Sequence, residues 1–133
     1  MAKATPIKCS VITPEREVLS ESAEAVVFPA HDGMVGILKD RAPLLCELGT
    51  GVLRVESGGQ TKNVFIDAGF AQVHDNQVTI LTERAALAEN ISRADAQKAL
   101  SNAEAMPAHD EASVTARNKA IERAKAQLSI ARQ

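Results

Sequence analysis

Short apolar runs alternate with polar residues over the first 81 positions, and turn-forming residues recur about every ten positions. This pattern predicts strands over residues 7–13, 17–22, 25–28, 44–48, 52–56, 62–67, 70–73 and 78–81. Gly49-Thr50-Gly51 is expected to end one of these strands, and Ser57-Gly58-Gly59-Gln60 suits a two-residue hairpin turn. Such a succession of short strands is typical of an antiparallel sandwich or barrel.

The stretch from Phe28 to Leu45, FPAHDGMVGILKDRAPLL, combines prolines, glycines and charges between apolar runs. Pro29 and Pro43 cannot donate to a central ladder, so both belong at strand edges or in turns. Gly33 and Gly36 suit a tight turn entering a strand. We interpret the stretch as an exposed, constrained loop between two buried strands, either a recognition surface or a plain connection.

After residue 90 the apolar period becomes helical, and fifteen of the last 49 residues are alanine. Ser92 with Asp95 is a candidate capping box for a first helix. The residues predicted to share one face of that helix are Ala96, Ala99, Leu100, Ala103 and Met106. Pro107 to Asp110 should break it.

A second helix should follow, with Asp110 or Ser113 as its cap. Its residues at spacings of three and four are Val114, Arg117, Ile121, Ala124 and Leu128. Two helices joined by about four residues form an antiparallel hairpin. Because alanine buries little area, we expect this hairpin to depend on docking against the strands or a partner.

Composition excludes several classes of protein. The chain has 133 residues, enough for one compact domain with an appendage. A net charge of −2 and the absence of Trp and Tyr argue against a general affinity for nucleic acid. No segment is long and apolar enough to span a membrane. The first ten residues, MAKATPIKCS, show no signal or transit pattern, so we expect the protein to stay where it is made.

We find no catalytic or metal-binding constellation in the sequence. His31, His74 and His109 are isolated in predicted turns, without a second ligand at metal-binding spacing. Cys9 and Cys46 are too few for a zinc site or a disulfide framework, and buried free thiols are expected. The glycines match no phosphate-binding loop, and neither Asp67 nor Glu83 has a visible partner carboxylate.

Charge divides along the chain. Residues 1–90 carry a net charge of −4, and residues 91–133 carry +2. The basic residues concentrate in the second helix: Arg117, Lys119, Arg123, Lys125 and Arg132. Two interpretations stay open, a solvated helix face and a surface that docks on an acidic partner.

Several motifs together resemble the epsilon subunit of the bacterial F-type rotary ATP synthase, over essentially the whole chain. They are Gly33-Met34-Val35-Gly36-Ile37-Leu38 followed by Ala42-Pro43-Leu44-Leu45, then Ile66-Asp67-Ala68-Gly69-Phe70, and Arg123-Ala124-Lys125-Ala126-Gln127-Leu128-Ser129-Ile130. The resemblance implies an α+β fold in two parts. Residues 1–87 would form a flattened antiparallel β-sandwich of about ten strands, and residues 88–133 an antiparallel helical hairpin with a regulatory role.

The resemblance also implies a non-catalytic rotor subunit that couples rotation to ATP synthesis. Its sandwich would bind the gamma subunit and the membrane rotor ring of c subunits. The residues expected to meet the ring are His31, Asp32, Met34, Lys39, Asp40 and Arg41. An extended hairpin would inhibit ATP hydrolysis at the catalytic beta and alpha subunits. The residues expected to meet an acidic segment of beta are Arg117, Lys119, Arg123 and Lys125.

The sequence departs from the family at two places. Lys39-Asp40-Arg41 stands where Pro-x-His is common, so the loop is more charged. Some members bind ATP through an Ile-Asp followed by an Arg three residues later, but here Ser92 follows Ile91 and Asp95 replaces that Arg. Gln127 stands where a second Arg of the last helix is expected. An Asp repels phosphates, so we predict no bound cofactor and weak or absent ATP binding.

Two further hypotheses come from other classes of protein. One is a free-standing adaptor whose basic hairpin binds an acidic protein, and the other is a small sandwich enzyme. Scarce aromatic residues and histidines argue against the ligand pocket that an enzyme needs. The family interpretation predicts a peripheral location on the cytoplasmic face of the inner membrane, with membrane association only through the complex.

Overall fold

A computed structural model describes residues 6–131 of the chain. The strands are β1 (Ile7–Ile12), β2 (Glu17–Ala23), β3 (Ala25–Ala30), β4 (Gly33–Leu38), β5 (Leu44–Ser57), β6 (Gln60–His74), β7 (Gln77–Leu81) and β8 (Arg84–Leu87). A 3-10 turn at Ala88–Asn90 then leads into helices α1 (Arg93–Glu104) and α2 (Glu111–Ile130). No helix within residues 6–131 is long and apolar enough to cross a lipid bilayer.

The strands form one continuous hydrogen-bonded sheet, in the order β2-β1-β7-β6-β5-β3-β4. All neighbours run antiparallel except β1 and β7, which are parallel. The long strand β6 is shared, since residues 70–74 pair with β7 and residues 64–67 pair with β8. The sheet therefore closes over one core as a sandwich, which confirms the predicted fold class, with eight described strands where about ten were expected.

Two predicted strand ends are wrong, and two strands, β4 and β8, were not among the eight predicted from the pattern. Strand β5 continues through Gly49-Thr50-Gly51, and β6 continues through Ala68 and Gly69. Pairing resumes on both sides of the glycines, with Leu48 opposite Gly69 and Thr50 opposite Asp67. Positive φ angles of 60° at Ala68 and 110° at Gly69 bend the strand without ending it. Each pair of predicted short strands is thus one long, bent strand.

The segment from Gly33 to Leu38 is a further correction, because it is strand β4 and not a loop. It pairs with β3 on one side and lies at the edge of the sheet. Ile37 points into the core, where it is 1% exposed, and Met34 and Leu38 point outward. Two glycines hid this alternation in the sequence. Only the turn at residues 31–32 and the connection at residues 39–43 are loops.

The core of the sandwich lies between the two layers of the folded sheet. Its largest fully buried side chains are Phe28, Ile7, Ile37, Leu53, Ile66, Ile80, Val11, Val26, Val55, Val64 and Val73. Within the described residues, no member of this core lies beyond Leu87. The sandwich therefore buries its own core without help from the two helices.

The helices start at side-chain caps that the sequence indicated. The Ser92 hydroxyl accepts the Asp95 N–H at 3.2 Å and begins α1. At α2 the bonds are reciprocal, with Asp110 accepting from the Ser113 N–H at 2.8 Å and Ser113 accepting from the Asp110 N–H at 3.1 Å. Hydrogen bonds from the Ser113 side chain and from its backbone N–H favour the charged carboxylate of Asp110 and lower the pKa of that group.

Small residues line the contact between the two helices and between the hairpin and the sheet. Ala96 and Ala103 of α1 and Ala124 of α2 are buried, as predicted. Ala99 and Val114 are exposed, so for these two residues the predicted inner face is wrong. Alanine lets the helices approach closely but contributes little buried area.

The hairpin docks on the outer face of the sheet, mainly through α2 against β5 and β6. A second, smaller apolar cluster lies under it, with Phe65, Ile91 and Ala96 buried. The residues partly buried around this cluster are Ala86, Ala126, Leu128, Ile130 and Ala131. Phe65 is 1% exposed only because the hairpin covers that face of β6.

Candidate partner-binding surfaces

The first candidate surface is the set His31, Asp32, Met34, Lys39, Asp40 and Arg41, here called the loop surface. All six residues are exposed, as a contact surface requires. His31 and Asp32 form the turn between β3 and β4, and the His31 N–H donates to the Glu47 carbonyl at 2.9 Å. Residues 39–41 follow the other end of β4.

The structure does not bring the loop surface together at one point. Strand β4 separates its two ends by about 20 Å, at roughly 3.3 Å per residue. Between them Met34 is 62% exposed and Leu38 is 66% exposed on the outward side of β4. The loop surface is therefore an edge with charged ends and an apolar centre, and Leu38 was missed among the sequence-predicted residues.

The second candidate surface is the basic set of α2, namely Arg117, Lys119, Arg123 and Lys125. Arg117 donates to the Glu104 carbonyl at 3.2 Å and 3.4 Å, at the C-terminal end of α1. Lys119 and Lys125 are exposed and form no ion pair with any residue in the range 6–131. Arg132, also counted as basic, lies outside the described residues.

The remaining member of the basic set, Arg123, is turned toward the sheet. Its Nε donates to Asp67 Oδ2 at 2.7 Å, and the Thr50 hydroxyl donates to Asp67 Oδ1 at 2.7 Å. Asp67 is 3% exposed, although carboxylates are almost never buried unless paired. The sequence reasoning missed this role, because it placed Asp67 at a strand end. The available signal was one charge inside the apolar run VFIDAGF.

A third candidate surface is an exposed apolar row across three neighbouring strands. Phe70 of β6 lies opposite Leu81 of β7, which lies opposite Ile12 of β1. Phe70 is 53% exposed and Leu81 is 47% exposed. Pro14 and Gly69 line a shallow groove beside this row. A contiguous apolar row on a sheet face is a candidate contact site for another protein.

The titratable residues do not assemble into a larger cluster. Among residues 6–131, no three His, Cys, Asp or Glu side chains lie where they could hold one metal ion. His74 lies 3.2 Å from Asp75, and His109 lies 3.7 Å from Asp110, both on exposed turns. Cys9 is buried, as predicted, whereas Cys46 is only partly buried, and both are free thiols. Burial raises the pKa of Cys9 to about 12.

The positions that the sequence analysis compared with ATP-binding members of the family lie in different surroundings. Ile91 is buried under the hairpin, whereas Asp95 is exposed in the first turn of α1. Gln127 is partly buried, and the Arg123 guanidinium is directed at Asp67. In this conformation Arg123 of the last helix therefore neutralises an internal carboxylate, that of Asp67.

Comparisons with known proteins agree on one family. Residues 6–88 match the family described as ATP synthase, Delta/Epsilon chain, beta-sandwich domain. The ATP synthase epsilon chain of Rhodopirellula baltica is 38% identical over 126 residues, covering 95% of this chain and 98% of the relative. The epsilon chain of Symbiobacterium thermophilum is 45% identical over 97 residues, covering 72% and 70%.

A solved structure extends the likeness to three dimensions. A chain in the cryo-EM structure of the Euglena gracilis mitochondrial ATP synthase, which contains OSCP, F1 and the c-ring, superposes with a TM-score of 0.82. Its sequence identity is 27%, and the superposition covers 97% of this chain and 83% of that chain.

Proposed function

The chain belongs to the family of ATP synthase epsilon chains, and from this premise we propose how it acts in the complex. It is a non-catalytic subunit of the ATP synthase. As part of the central stalk, it couples rotation of the membrane ring to ATP synthesis and inhibits ATP hydrolysis through its hairpin. Residues 1–87 bind the gamma subunit and the ring, and residues 88–133 regulate ATP hydrolysis.

The loop surface is proposed to meet the polar loops of the ring of c subunits. Support comes from its exposure and its position along a free sheet edge, with charged residues at both ends. Polar loops offer partners for Asp32, Lys39 and Arg41, and Met34 and Leu38 supply apolar contact between them. The contact would hold the subunit at the cytoplasmic face of the inner membrane, where protease added to inverted vesicles should reach it.

The gamma subunit is proposed to dock on the apolar row formed by Ile12, Leu81 and Phe70. The row lies on a different face of the sandwich from the one that carries the hairpin. The gamma contact and the docked hairpin can therefore exist together. A Phe70→Glu variant should lose stable co-purification with gamma, whereas Gln72→Glu on the same strand should keep it. Equal retention of both variants would place gamma on another face.

One observation carries the regulatory part of the proposal. The hairpin rests on a small, alanine-rich contact outside the sandwich core, so it can leave without unfolding the sandwich. In the docked position Arg117 and Arg123 are engaged within the chain. A hairpin that leaves the sheet would release Arg123, and separation of α1 from α2 would also release Arg117. Together with Lys119 and Lys125, these arginines could then bind an acidic segment of the beta subunit.

The test is ATP hydrolysis by the cognate catalytic complex stripped of this subunit. The full chain, or a truncation ending at Glu89, is added back at equal bound amounts. The truncation keeps the whole sandwich core, so it should bind. Inhibition by the full chain alone supports a regulatory hairpin. Equal hydrolysis with both would limit the protein to coupling, and binding of neither would refute the subunit assignment to this complex.

A matched pair of variants tests the loop surface. Arg41→Glu reverses a charge on the loop surface, and Lys8→Glu makes the same reversal on an exposed residue of β1. We expect Arg41→Glu to weaken binding of the catalytic sector to the ring by about tenfold, with Lys8→Glu near wild type. If Lys8→Glu weakened ring binding more than Arg41→Glu did, the ring would contact a surface other than the loop surface.

A further inference from the structure

We propose that Asp67 is the latch of the hairpin: its ion pair with Arg123 holds α2 on the sheet. The hairpin extends only when Arg123 exchanges Asp67 for an acidic peptide segment of a partner. This inference rests on the proposed regulatory function. It assigns the control of that function to one residue of the sandwich, 56 positions away in sequence from the arginine that it holds.

Asp67 is held in place by the sandwich before the hairpin arrives. Thr82 anchors its backbone on both sides, accepting the Asp67 N–H and donating to the Asp67 carbonyl, each at 3.0 Å. The Thr50 hydroxyl, from the neighbouring strand, orients the carboxylate at 2.7 Å. All of these groups belong to the sandwich, so the acceptor keeps its position when the hairpin moves.

The buried charge of Asp67 needs a cation. With the hairpin docked, the side chain of Asp67 is 5% exposed and has lost most of its hydration. Arg123 is the only cationic side chain within ion-pair distance of Asp67 among residues 6–131. A carboxylate that loses its partner in such a site strongly destabilises the conformation that buries it. The docked state therefore requires Arg123.

The rest of the contact is small. Among residues 6–131, the buried residues beneath the hairpin are Phe65, Ile91 and Ala96, and Ala126, Leu128 and Ile130 of α2 are only partly buried. Alanine adds little buried area to such a contact. The ion pair is therefore a large fraction of what distinguishes the docked from the undocked hairpin.

A competing carboxylate can draw Arg123 away from Asp67. The Arg123 side chain is 31% exposed, so it lies at the rim of the contact and an incoming carboxylate can reach it. One guanidinium cannot satisfy Asp67 and an external acidic segment across a displaced helix. The two acceptors therefore compete, and strengthening either one shifts the hairpin toward it.

Hydrogen exchange of the full chain tests the latch directly. An undocked hairpin of this length and composition is marginal, so its amides exchange with opening. We expect Asp67→Asn to speed exchange of the α2 amides at least about tenfold, since a charge-assisted bond is lost. Protection of the β1 and β7 amides should stay unchanged, which shows that the sandwich is still folded.

Matched variants separate the latch from a general effect of charge. Arg123→Gln should speed α2 exchange as much as Asp67→Asn, and the double variant should add little to either single change. Lys125→Gln removes a charge from the same helix at an exposed position and should leave exchange at the wild-type rate. Residue 123 lies outside the sandwich core, so the Arg123→Gln variant should fold. It therefore tests the latch even if Asp67→Asn fails to fold.

Hydrolysis by the reconstituted complex then distinguishes the latch from the function on which it rests. If Asp67→Asn speeds exchange of the α2 amides and also inhibits hydrolysis more strongly, both the latch and the inhibitory hairpin are supported. Faster exchange without any inhibition by the wild type or the variant keeps the latch and refutes the inhibitory hairpin. Wild-type exchange in both Asp67→Asn and Arg123→Gln, or additive effects in the double variant, would overturn the latch whatever hydrolysis shows.

Discussion

Asp40 and Asn76 bind each other reciprocally, although 36 residues separate them. The Asp40 N–H donates to Asn76 Oδ1 at 2.6 Å, and Asn76 Nδ2 donates to Asp40 Oδ1 at 3.3 Å. Both residues have left-handed backbone angles, with φ of 65° and 62°. The β6–β7 turn thereby fixes the charged end of the loop surface, which no local feature of residues 39–41 could do.

The first prediction concerns this pair. Asn76→Ala removes both bonds and places an alanine at positive φ, so the free energy of unfolding should fall by about 2 kcal/mol. Asn76→Gly removes the same bonds, but glycine adopts a positive φ without strain, so the free energy of unfolding should fall by about half as much. Urea denaturation of the full chain measures both. A wild-type midpoint for Asn76→Ala would show that the pair does not hold the loop.

The second prediction concerns the bend of β6. Gly69 has a φ of 110°, and a Cβ there would overlap the Leu81 carbonyl oxygen. Gly69→Ala should therefore destabilise the protein by about 3 kcal/mol or more. Gly36→Ala is the control, because a Cβ there would meet only Val27 Cγ2 at ordinary contact distance. Chemical denaturation should show near-wild-type or slightly higher stability for Gly36→Ala.

The third prediction concerns pH and the Asp110–Ser113 capping box. The folded pKa of Asp110 is lowered, so its contribution is present above the unfolded value of about 3.9 and is lost as pH falls through the folded pKa. Asp110→Asn keeps a capping oxygen but does not titrate. The melting temperature of the wild type, followed by helical circular dichroism, should fall relative to that variant below about pH 4. A constant difference between pH 7 and pH 3 would contradict the capping role.

The fourth prediction separates the two thiols. Cys9 is fully buried with a pKa raised to about 12, because burial disfavours the thiolate and Glu21 adds to this effect. Cys46 is partly exposed, and burial raises its pKa as well. Iodoacetamide at pH 8 should modify Cys46 first, with Cys9 reacting only on unfolding. Mass spectrometry of native and denatured samples checks this order, which equal native labelling would refute.

The fifth prediction is weak or absent ATP binding. Arg123 already neutralises Asp67, and Asp95 adds a negative charge where nucleotide-binding members carry an Arg. Calorimetric titration of the full chain should detect no saturable micromolar site. Arg123→Gln provides the control for any residual heat, since a genuine site that uses this cation would weaken with it. Saturable micromolar binding by the wild type would contradict the prediction.

Many features of this fold are local, and for that reason the sequence predicted them. Alternation over residues 7–12 and 78–81, with turn residues between such runs, specifies strands because one face of each is buried. The Asp110–Ser113 box and the alanine-rich faces specify two helices in the same way. A two-part protein with a β-sandwich and a hairpin follows from these signals.

Glycine misled the prediction where distant pairing decides the outcome. Gly49, Gly51 and Gly69 are typical of strand ends, but ladders on both sides carry β5 and β6 across them. Gly33 and Gly36 suggested a loop, but β3 pairs with the whole segment. Local propensity amounts to a few tenths of a kcal/mol per residue, so a row of ladder bonds and buried neighbours outweighs it.

The sequence alone thus determined a strand-rich part followed by two helices, and the family, but not β4, β8 or the full length of β5 and β6. Only the tertiary structure decided which distant polar side chains meet: Asp67 with Arg123, and Asp40 with Asn76. The physical reason is the distance along the sequence over which each effect acts. Periodicity and capping act over about four residues, whereas these contacts join parts of the chain that only packing brings together. For Asp67 that packing also decides whether the charge is buried, and hence whether it can hold the hairpin.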